Sequence, residues 1–428
     1  MSGKNVKDTI PYDCIVIGAG PSGLMAAITA ARAGADVLVL EHRDKPLKKL
    51  YATGNGRCNF TNMHMDENVY RGSDPSFAYE ALKVFGRDEL LDFMHGLGLM
   101  TRDIDGYVYP YNEQARAVAD ALLLECRKLG IEIRCSEDMV DITKDEEFAV
   151  STRSHVYRSK NLVMAAGGKA SPTHGSDGSM NRFIRSFGHE IVLQYPALVP
   201  LKVADSRLSY LAGVRIKCRI SLAVDGDMVS SESGEVIFNK DNISGIPVMQ
   251  LSRYAVCSVA DGRDASLYID LFPGLDTDEL AAGLETAFDI FGDERRNRDM
   301  KRDRSAQEAL SLCINDKLAG YFLKEAGITP MSLAGSCSKE KIGKLAANLK
   351  SMEFDVTGSE GFDRAQVTAG GVNVAELTPQ MESRIVPGLF IVGELCDIDG
   401  TCGGYNLQWA FTSGYIAGSR ISAEKIDL

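Results

Sequence analysis

Four continuous apolar runs stand out along this chain, and each is followed immediately by a glycine or a glutamate. They lie at 12–17, 36–40, 161–166 and 389–392. Runs of this length are typical of parallel strands that are buried on both faces. A helix of small and apolar residues is predicted after the first run and ends at Gly34, and another is predicted from about residue 405 to 419. The pattern predicts an α/β domain whose strands come from both ends of the chain.

The middle of the chain has a different polarity pattern. From Val214 to Val224 apolar residues occupy every even position, which predicts a half-buried antiparallel strand, and Asp225-Gly226 is a hairpin turn. Asp276 and Glu279 have the spacing of a capping box, and helices are predicted from there to about Leu349. The chain therefore divides into a first α/β segment at 1–190, an insert at 191–357 that is part β and part helical, and a return to the first domain at 358–428.

The turn after the first strand carries the most specific chemistry. It reads Gly18-Ala-Gly20-Pro-Ser-Gly23, and Glu41 closes the second strand. Gly18 permits a tight turn, Gly20 lets a pyrophosphate approach the backbone, and Gly23 lets helix pack on strand. The helix N-terminus favours phosphates, and Glu41 is placed to accept two ribose hydroxyls. We interpret this stretch as a dinucleotide-binding site.

Composition and charge restrict the partners of the protein. The chain has 428 residues, of which 45% are apolar and 25% charged, typical of a globular protein of two or three domains. Its net charge of −12 argues against a nucleic-acid partner. A basic segment at 295–304 is interpreted as a solvated helix face, with a phosphate site as the less favoured alternative. No run approaches the roughly 18 apolar residues of a membrane span, and the cysteines form no C-x-x-C pair. These features predict a cytoplasmic protein with reduced thiols, no metal site and no membrane segment.

The loop from Lys48 to Asn62 is dense in glycine and asparagine, and backbone donors there, with the charge of Arg57, suit a phosphate or a flavin edge.

Tyrosines are the candidates to protonate a substrate. We single out Tyr109, Tyr111 and Tyr405 for this role, although tyrosine is more often a packed residue with a satisfied hydroxyl. Cys402 precedes a predicted helix N-terminus, where a thiol pKa is lowered, but a small packed thiol is the alternative.

Six segments together resemble a family of flavoproteins whose members include aminoacetone oxidase-like enzymes and 3-dehydro-bile acid delta(4,6)-reductase. The matching segments are IGAGPSGLMAA at 17–27, ATGNGRCNFTN at 52–62, AAGGKASPTHGSDG at 165–178, ISGIPVMQLSR at 243–253, QVTAGGV at 366–372 and GELCDIDGTCGGYNLQWAFTSGYIAG at 393–418. The resemblance implies a Rossmann-like FAD-binding domain in two segments, interrupted by an insert with a β-barrel part and a helical part. In this chain Ala166 replaces the Thr that is usual in the Ala-Thr-Gly-Gly turn of the family, and Cys402 stands where many members have Thr.

The resemblance also implies the FAD contacts. They are Gly18, Ala19, Gly20, Ser22, Gly23, Glu41, Lys49, Asn55, Gly56, Arg57, Cys58, Ala166, Gly167, Gly393, Glu394, Gly404, Asn406 and Leu407. Val140 is a further expected FAD contact. Tyr109, Cys402 and Tyr405 are the catalytic candidates. Because the chain has one dinucleotide fingerprint, NAD(P)H is expected to visit only transiently as hydride donor.

Three functions are compatible with the sequence. The leading hypothesis is an NAD(P)H-linked reductase of an unsaturated or carbonyl compound. Its substrate is expected to be a small molecule, and a steroid-like compound is one candidate. The second is an FAD-dependent amine oxidase, which would need a carboxylate or an aromatic cage to hold its cation. Trp409, the single tryptophan, is expected in the core instead. The third is a flavin-binding tRNA-modifying or regulatory protein, which the acidic composition disfavours. The oligomeric state is left open.

Overall fold

The computed structural model describes residues 12–66, 68–292 and 304–426, and the chain forms two compact units. The first unit runs to Pro196 and resumes at Phe362, while the second comprises Ala197–Gly361. Of the basic segment at 295–304, only Arg304 is among the described residues.

Most strands and helices of the first unit come from the part of the chain that precedes the second unit. The strands are β1 Tyr12–Ile17, β2 Val37–Leu40, β3 Thr61–Asn62, β4 Tyr70–Arg71, β5 Thr101–Ile104, β6 Tyr107–Pro110, β7 Glu132–Arg134, β8 Met139–Lys144, β9 Phe148–Thr152, β10 Val156–Met164 and β11 Tyr195–Ala197. The helices are α1 Pro21–Arg32, α2 Lys48–Ala52, α3 Ser76–Val84, α4 Arg87–Gly96, α5 Ala115–Lys128 and α6 Asn181–Ser186.

The second unit follows without a break. Its strands are β12 Leu201–Val203, β13 Arg215–Val224, β14 Asp227–Phe238, β15 Asn242–Ser244, β16 Ala265–Asp270 and β17 Met352–Ser359. Its helices are α7 Arg207–Leu211, α8 Ile246–Ala260, α9 Thr277–Gly292, α10 Ala306–Leu310, α11 Asp316–Glu325 and α12 Lys339–Lys350. The first unit is completed by β18 Val367–Ala369, β19 Leu389–Ile391, β20 Asp399–Gly400 and α13 Tyr405–Ile426.

A seven-stranded sheet organises the first unit. Its order is β7-β2-β1-β10-β9-β8, and β19 pairs with the end of β10. β7, β2, β1, β10 and β19 are parallel, whereas β9 and β8 are antiparallel. Ile17 is in register with Leu40 and Met164, and Met164 with Ile391. The residues that follow these strands therefore meet at one edge of the sheet, where ligands of such folds bind.

The predicted buried runs are confirmed. Residues 14–17 of β1 and all of β2 and β19 are buried, as are the last four residues of β10. Helix α13 begins at Tyr405 as predicted but extends beyond residue 419 to Ile426. The amphipathic stretch between Phe77 and Gly98 forms two helices, α3 and α4. Gly86 breaks it, and its N–H donates to Glu89 Oε2 at 2.9 Å as α4 begins.

The second unit contains a closed barrel of six strands, with the order β12-β15-β14-β13-β16-β17. In β13 the even positions from Cys218 to Val224 point inward, which confirms the predicted alternation. Asp225 and Gly226 both have positive φ, 51° and 87°, as a two-residue hairpin turn requires. Asp276 and Glu279 form the predicted capping box, with each backbone N–H donating to the carboxylate of the other residue at 2.8–2.9 Å. The predicted architecture, Rossmann-like domain plus β-barrel and helices, is therefore confirmed.

Candidate dinucleotide site of the first unit

The glycine turn between β1 and α1 is packed so closely that only part of it is open to a ligand. A Cβ on Gly18 would lie 2.5 Å from the carbonyl oxygen of Ala165, and one on Gly23 would lie 2.0 Å from that of Gly18. Gly18 also has φ +105°, which favours glycine. A Cβ on Gly20, by contrast, would meet nothing within 4 Å. Gly18 and Gly23 therefore shape the turn, while Gly20 faces open space at the N-terminus of α1.

Glu41 closes this turn from the side of β2. Its Oε2 accepts the N–H of Ala19 at 2.9 Å, and its Oε1 accepts the N–H of Arg43 at 2.8 Å. Only 9% of Glu41 is exposed. Each carboxylate oxygen has two lone pairs, so the two backbone bonds orient the group and leave each oxygen capacity for one further donor. The geometry suits the two hydroxyls of a ribose.

Three polar atoms beside the turn are buried without a hydrogen-bond partner among the described residues. They are His42 Nε2, Arg43 Nε and Ser176 Oγ. Gly175 lies against His42 and Arg43, and Ser176 lies against Gly167, so the segment around 175 covers this end of the sheet. Buried polar groups are almost always paired, and partnerless ones here fit a polar ligand. Sequence reasoning missed all three residues, although two directly follow Glu41 and the third lies in a matched segment.

The segment from Lys49 to Cys58 lies beside the returning part of the chain. Lys49 Nζ pairs with Glu394 Oε2 at 2.6 Å, so two predicted FAD contacts 345 residues apart meet directly. Within the segment from Lys49 to Cys58 the backbone turns tightly, since Asn55 and Gly56 have φ of 55° and 84°. The Cys58 thiol is fully buried, and burial raises its pKa to about 12. The contact of Cys58 with FAD stays a prediction.

Ala166 and Gly167 follow β10, and Gly393 follows the end of β19. A Cβ on Gly393 would lie 2.6 Å from Ser22 Oγ, so this turn touches the first turn of α1. The Gly393 carbonyl accepts the Trp409 indole N–H at 3.0 Å. Trp409 is 1% exposed, which confirms its predicted place in the core.

The start of α13 is held by its own loop. Gly404 has φ +92°, and a Cβ there would lie 2.6–2.8 Å from the backbone of Thr61. The Asn406 side chain accepts the Gly400 N–H and donates to the Gly400 carbonyl, both at 2.8 Å. Leu407 lies in the first turn of the helix and is partly buried. The helix N-terminus is thus fixed beside β3.

The three catalytic candidates each make a different contact in the structure. The Tyr405 hydroxyl donates to the His64 carbonyl at 2.8 Å, and burial raises its pKa to about 12, assisted by Tyr107 and Asp66. The Tyr109 ring lies 4.6 Å below the Arg57 guanidinium carbon. Cys402 is partly exposed just before the Gly403-Gly404 turn. Their catalytic roles stay predictions.

Val140 lies in a bulge of β8 and is 52% exposed. It comes three residues after Glu137, whose N–H donates to the Glu41 carbonyl at 3.0 Å. The residues just before β8 are therefore bonded to Glu41 of the candidate site. The contact of Val140 itself with FAD stays a prediction.

A family model described as the HI0933-like protein Rossmann domain matches residues 12–420. The chain belongs to the HI0933-like family. Within it, this chain is 36% identical over 414 residues to 3-dehydro-bile acid delta(4,6)-reductase from Clostridium scindens, covering 96% of this chain and 98% of that one. It is 29% identical to a ribosomal RNA dihydrouridine synthase from Escherichia coli, covering 97% and 99%.

Among solved structures, a 3-ketosteroid-delta4-(5alpha)-dehydrogenase from Rhodococcus jostii aligns over 97% of this chain and 98% of its own, with 15% identity and a TM-score of 0.48. With the family established, this HI0933-like chain is an enzyme, an FAD-dependent oxidoreductase.

The residues present fit FAD. The open face of Gly20, the two oriented oxygens of Glu41 and the three partnerless polar atoms lie at one edge of the parallel sheet, as a dinucleotide requires. No group of three or more His, Cys, Asp or Glu residues within the described ranges is arranged to hold a metal ion. In the same part of the chain, no helix is long and apolar enough to cross a bilayer.

Proposed function

We propose that this enzyme reduces a carbon–carbon double bond conjugated to a carbonyl in a small, apolar, steroid-like compound, with NAD(P)H as hydride donor. The proposal rests above all on the 36% identity to 3-dehydro-bile acid delta(4,6)-reductase, which extends over nearly the whole of both chains. The name of that relative describes a double-bond reduction next to a 3-oxo group. A likeness over the full length supports the same reaction class here.

The second relative supports the same chemistry on a different substrate. A dihydrouridine synthase also saturates a double bond conjugated to a carbonyl, in this case in a uracil ring of ribosomal RNA. Ribosomal RNA modification is therefore the second candidate function. The net charge of −12 disfavours it, because an RNA-binding surface neutralises phosphates with basic residues.

The roles of this chain's own residues follow from their contacts. FAD, when bound, supplies hydride-transfer chemistry. Glu41, held by the N–H groups of Ala19 and Arg43, would bind the ribose, and Gly20 would lie against the pyrophosphate. The Lys49–Glu394 pair joins the segment after β2 to the turn after β19. Tyr405 stays protonated at neutral pH, and its hydroxyl donates a hydrogen bond to the His64 carbonyl. We therefore assign Tyr405 a role in positioning the start of α13.

Anaerobic stopped-flow mixing tests the proposal. The FAD-loaded enzyme should be bleached by NADH or NADPH faster than free FAD is, and a 3-oxo-4-ene steroid should then restore the flavin colour. Gly20→Val, which should not retain FAD, serves as the matched control. Restoration by a uridine-containing ribosomal RNA fragment but not by the steroid would replace this proposal with the second candidate. Bleaching by a small amine alone, without nicotinamide, would replace it with an amine oxidase.

A further inference from the structure

Two arginines from different segments of the first unit share a single carboxylate. Arg57 Nη2 contacts Glu113 Oε2, and Arg102 Nη1 donates to Glu113 Oε1 at 3.0 Å. The side chains of Arg57, Arg102 and Glu113 are 44%, 38% and 29% exposed. Two positive charges against one negative charge leave this cluster with a net charge of +1. The cluster is therefore both cationic and accessible from solvent in a protein that is strongly acidic overall.

Each guanidinium of this cluster lies over an aromatic ring. The Arg57 guanidinium carbon is 4.6 Å from the centroid of the Tyr109 ring, and that of Arg102 is 4.5 Å from the Tyr111 ring. Stacking on a ring fixes the plane of a guanidinium and leaves its edges to donate hydrogen bonds. Arg102 Nε is buried without a hydrogen-bond partner among the described residues, so Glu113 leaves one N–H of this guanidinium unpaired.

The cluster lies on the same face of a small sheet as the turn before α13. Arg102 on β5 is directly opposite Tyr109 on β6, and Tyr107, two residues along, shares that face. Asn62 on β3 is opposite Tyr107, and its Nδ2 donates to the Gly403 carbonyl at 2.9 Å. Two residues of strand span roughly 7 Å. The cationic cluster therefore lies roughly 7 Å along the strand from the Gly403 turn.

We propose that Arg57, Arg102 and Tyr109 form a subsite for the anionic group of a small-molecule ligand of this enzyme. The fork of a guanidinium matches the oxygens of a carboxylate or of a phosphate. Within the proposed function, on which the choice of ligands rests, two sources carry such a group: the side-chain carboxylate of a steroid acid and the 2′-phosphate of NADPH. Glu113 holds both guanidinium groups in place and competes with the incoming anion.

Equilibrium titration of the FAD-loaded enzyme tests the subsite without requiring turnover. Two ligand pairs differ only in the anion: 2′,5′-ADP against 5′-AMP, and a 3-oxo-4-ene steroid carboxylate against its methyl ester. One anionic member should bind roughly tenfold more tightly than its partner, as a charge-assisted hydrogen bond contributes. Arg102→Gln should abolish this preference, and Glu113→Gln should increase it. Arg116→Gln, an exposed arginine paired with Asp120 on α5, is the matched control and should change nothing.

The pair that shows the preference identifies the source of the anion. Equal affinities within both pairs, or a preference that survives Arg102→Gln, would overturn the subsite even if the enzyme turns over the steroid. An Arg102-dependent affinity for ribosomal RNA alone would also overturn it. The proposed function is tested separately by turnover, and it fails if no enone is reduced. Failure of the subsite and failure of the proposed function are therefore distinguishable.

Discussion

Gly20 and Gly23 occupy the same motif, but the structure gives them different tasks. A side chain on Gly23 would collide with the Gly18 carbonyl at 2.0 Å, whereas one on Gly20 would meet no protein atom within 4 Å. Gly20 also has φ −82°, which any residue adopts. The glycine at position 23 is therefore required by the fold, and the glycine at position 20 is required only by what binds there.

Gly20→Val and Gly23→Val should separate these tasks. Gly20→Val should keep the melting temperature of the apo-protein close to wild type and should weaken FAD binding at least tenfold. Gly23→Val should destabilise the protein itself by about 3 kcal/mol or more, because backbone would have to move. Thermal unfolding of apo-protein and fluorescence titration with FAD measure the two effects. Unchanged FAD affinity in Gly20→Val would refute the placement of the pyrophosphate.

Among the elements, α1 and α13 pack backbone to backbone through glycines. A Cβ on Gly414 would lie 2.2 Å from the Ser22 carbonyl oxygen, and one on Gly418 would lie 2.5 Å from that of Ala26. The close approach joins the first helix of the chain to the last. Since α1 carries the glycine turn at its start, this contact supports the site from behind.

Gly414→Ala should therefore destabilise the first unit by about 1–3 kcal/mol, despite the higher helix propensity of alanine. Gly96, at the end of α4, is the matched control because a Cβ there meets nothing within 4 Å. Gly96→Ala should be neutral or stabilising by up to about 1 kcal/mol. Urea unfolding compares the two. Equal effects would contradict the close packing of α1 against α13.

A second pair of elements, α1 and α5, is joined by a buried charge. Glu125 Oε1 accepts Arg32 Nε and Nη2 at 3.0 and 2.8 Å. Burial alone would raise the pKa of Glu125, but the hydrogen bonds and charge of Arg32, with help from Lys128, outweigh it and hold the pKa below its usual value. A lowered pKa in the folded state means that the pair stabilises the fold above the unfolded pKa of about 4.3. This stabilisation is lost as pH falls through the lower, folded pKa.

Glu125→Gln should reduce stability by about 1–3 kcal/mol at pH 7, and the difference from wild type should shrink as the pH falls below about 4.3. Unfolding measured across pH 3 to 7 provides the check. Glu80→Gln is the control, because Glu80 and its partner Lys83 are 66% and 69% exposed and such pairs contribute little. A difference that stays constant with pH would mean that the charge of Glu125 is not what stabilises the contact.

In the whole molecule, the chain leaves the first unit and returns to it at neighbouring points. The Val192 N–H donates to the Gly371 carbonyl at 2.8 Å, and Ile191 bridges Val372. The departing and returning segments are therefore held side by side within the first unit. All the residues of the candidate dinucleotide site also belong to this unit.

Replacing Ala197–Gly361 by a short glycine-serine linker should consequently leave a folded first unit that binds FAD. Circular dichroism and the ratio of bound FAD to protein after gel filtration test this. The same excision carrying Gly20→Val should fold and lack FAD. An excised protein that folds but binds no FAD would show that the second unit is needed for the cofactor.

Much of the fold could be predicted from the sequence because its signals are local. The buried runs, the alternation in β13, the Asp225-Gly226 turn and the capping box at Asp276 each depend on residues a few positions apart. Between Phe77 and Gly98 the apolar spacing continues through Gly86, although Gly86 caps a new helix and separates α3 from α4. Apolar periodicity alone does not reveal such a break.

The sequence by itself determined the strand–turn–helix of a dinucleotide site, since that motif is a short stretch with fixed backbone requirements. Only the tertiary structure decided which distant side chains meet there. Lys49 and Glu394 are 345 residues apart, and Arg57 and Arg102 share Glu113 across three segments. The partnerless atoms of His42, Arg43 and Ser176 likewise became visible only when the chain was folded. Contacts between distant segments depend on how the sheet brings strand ends together, and no local pattern encodes which partners result.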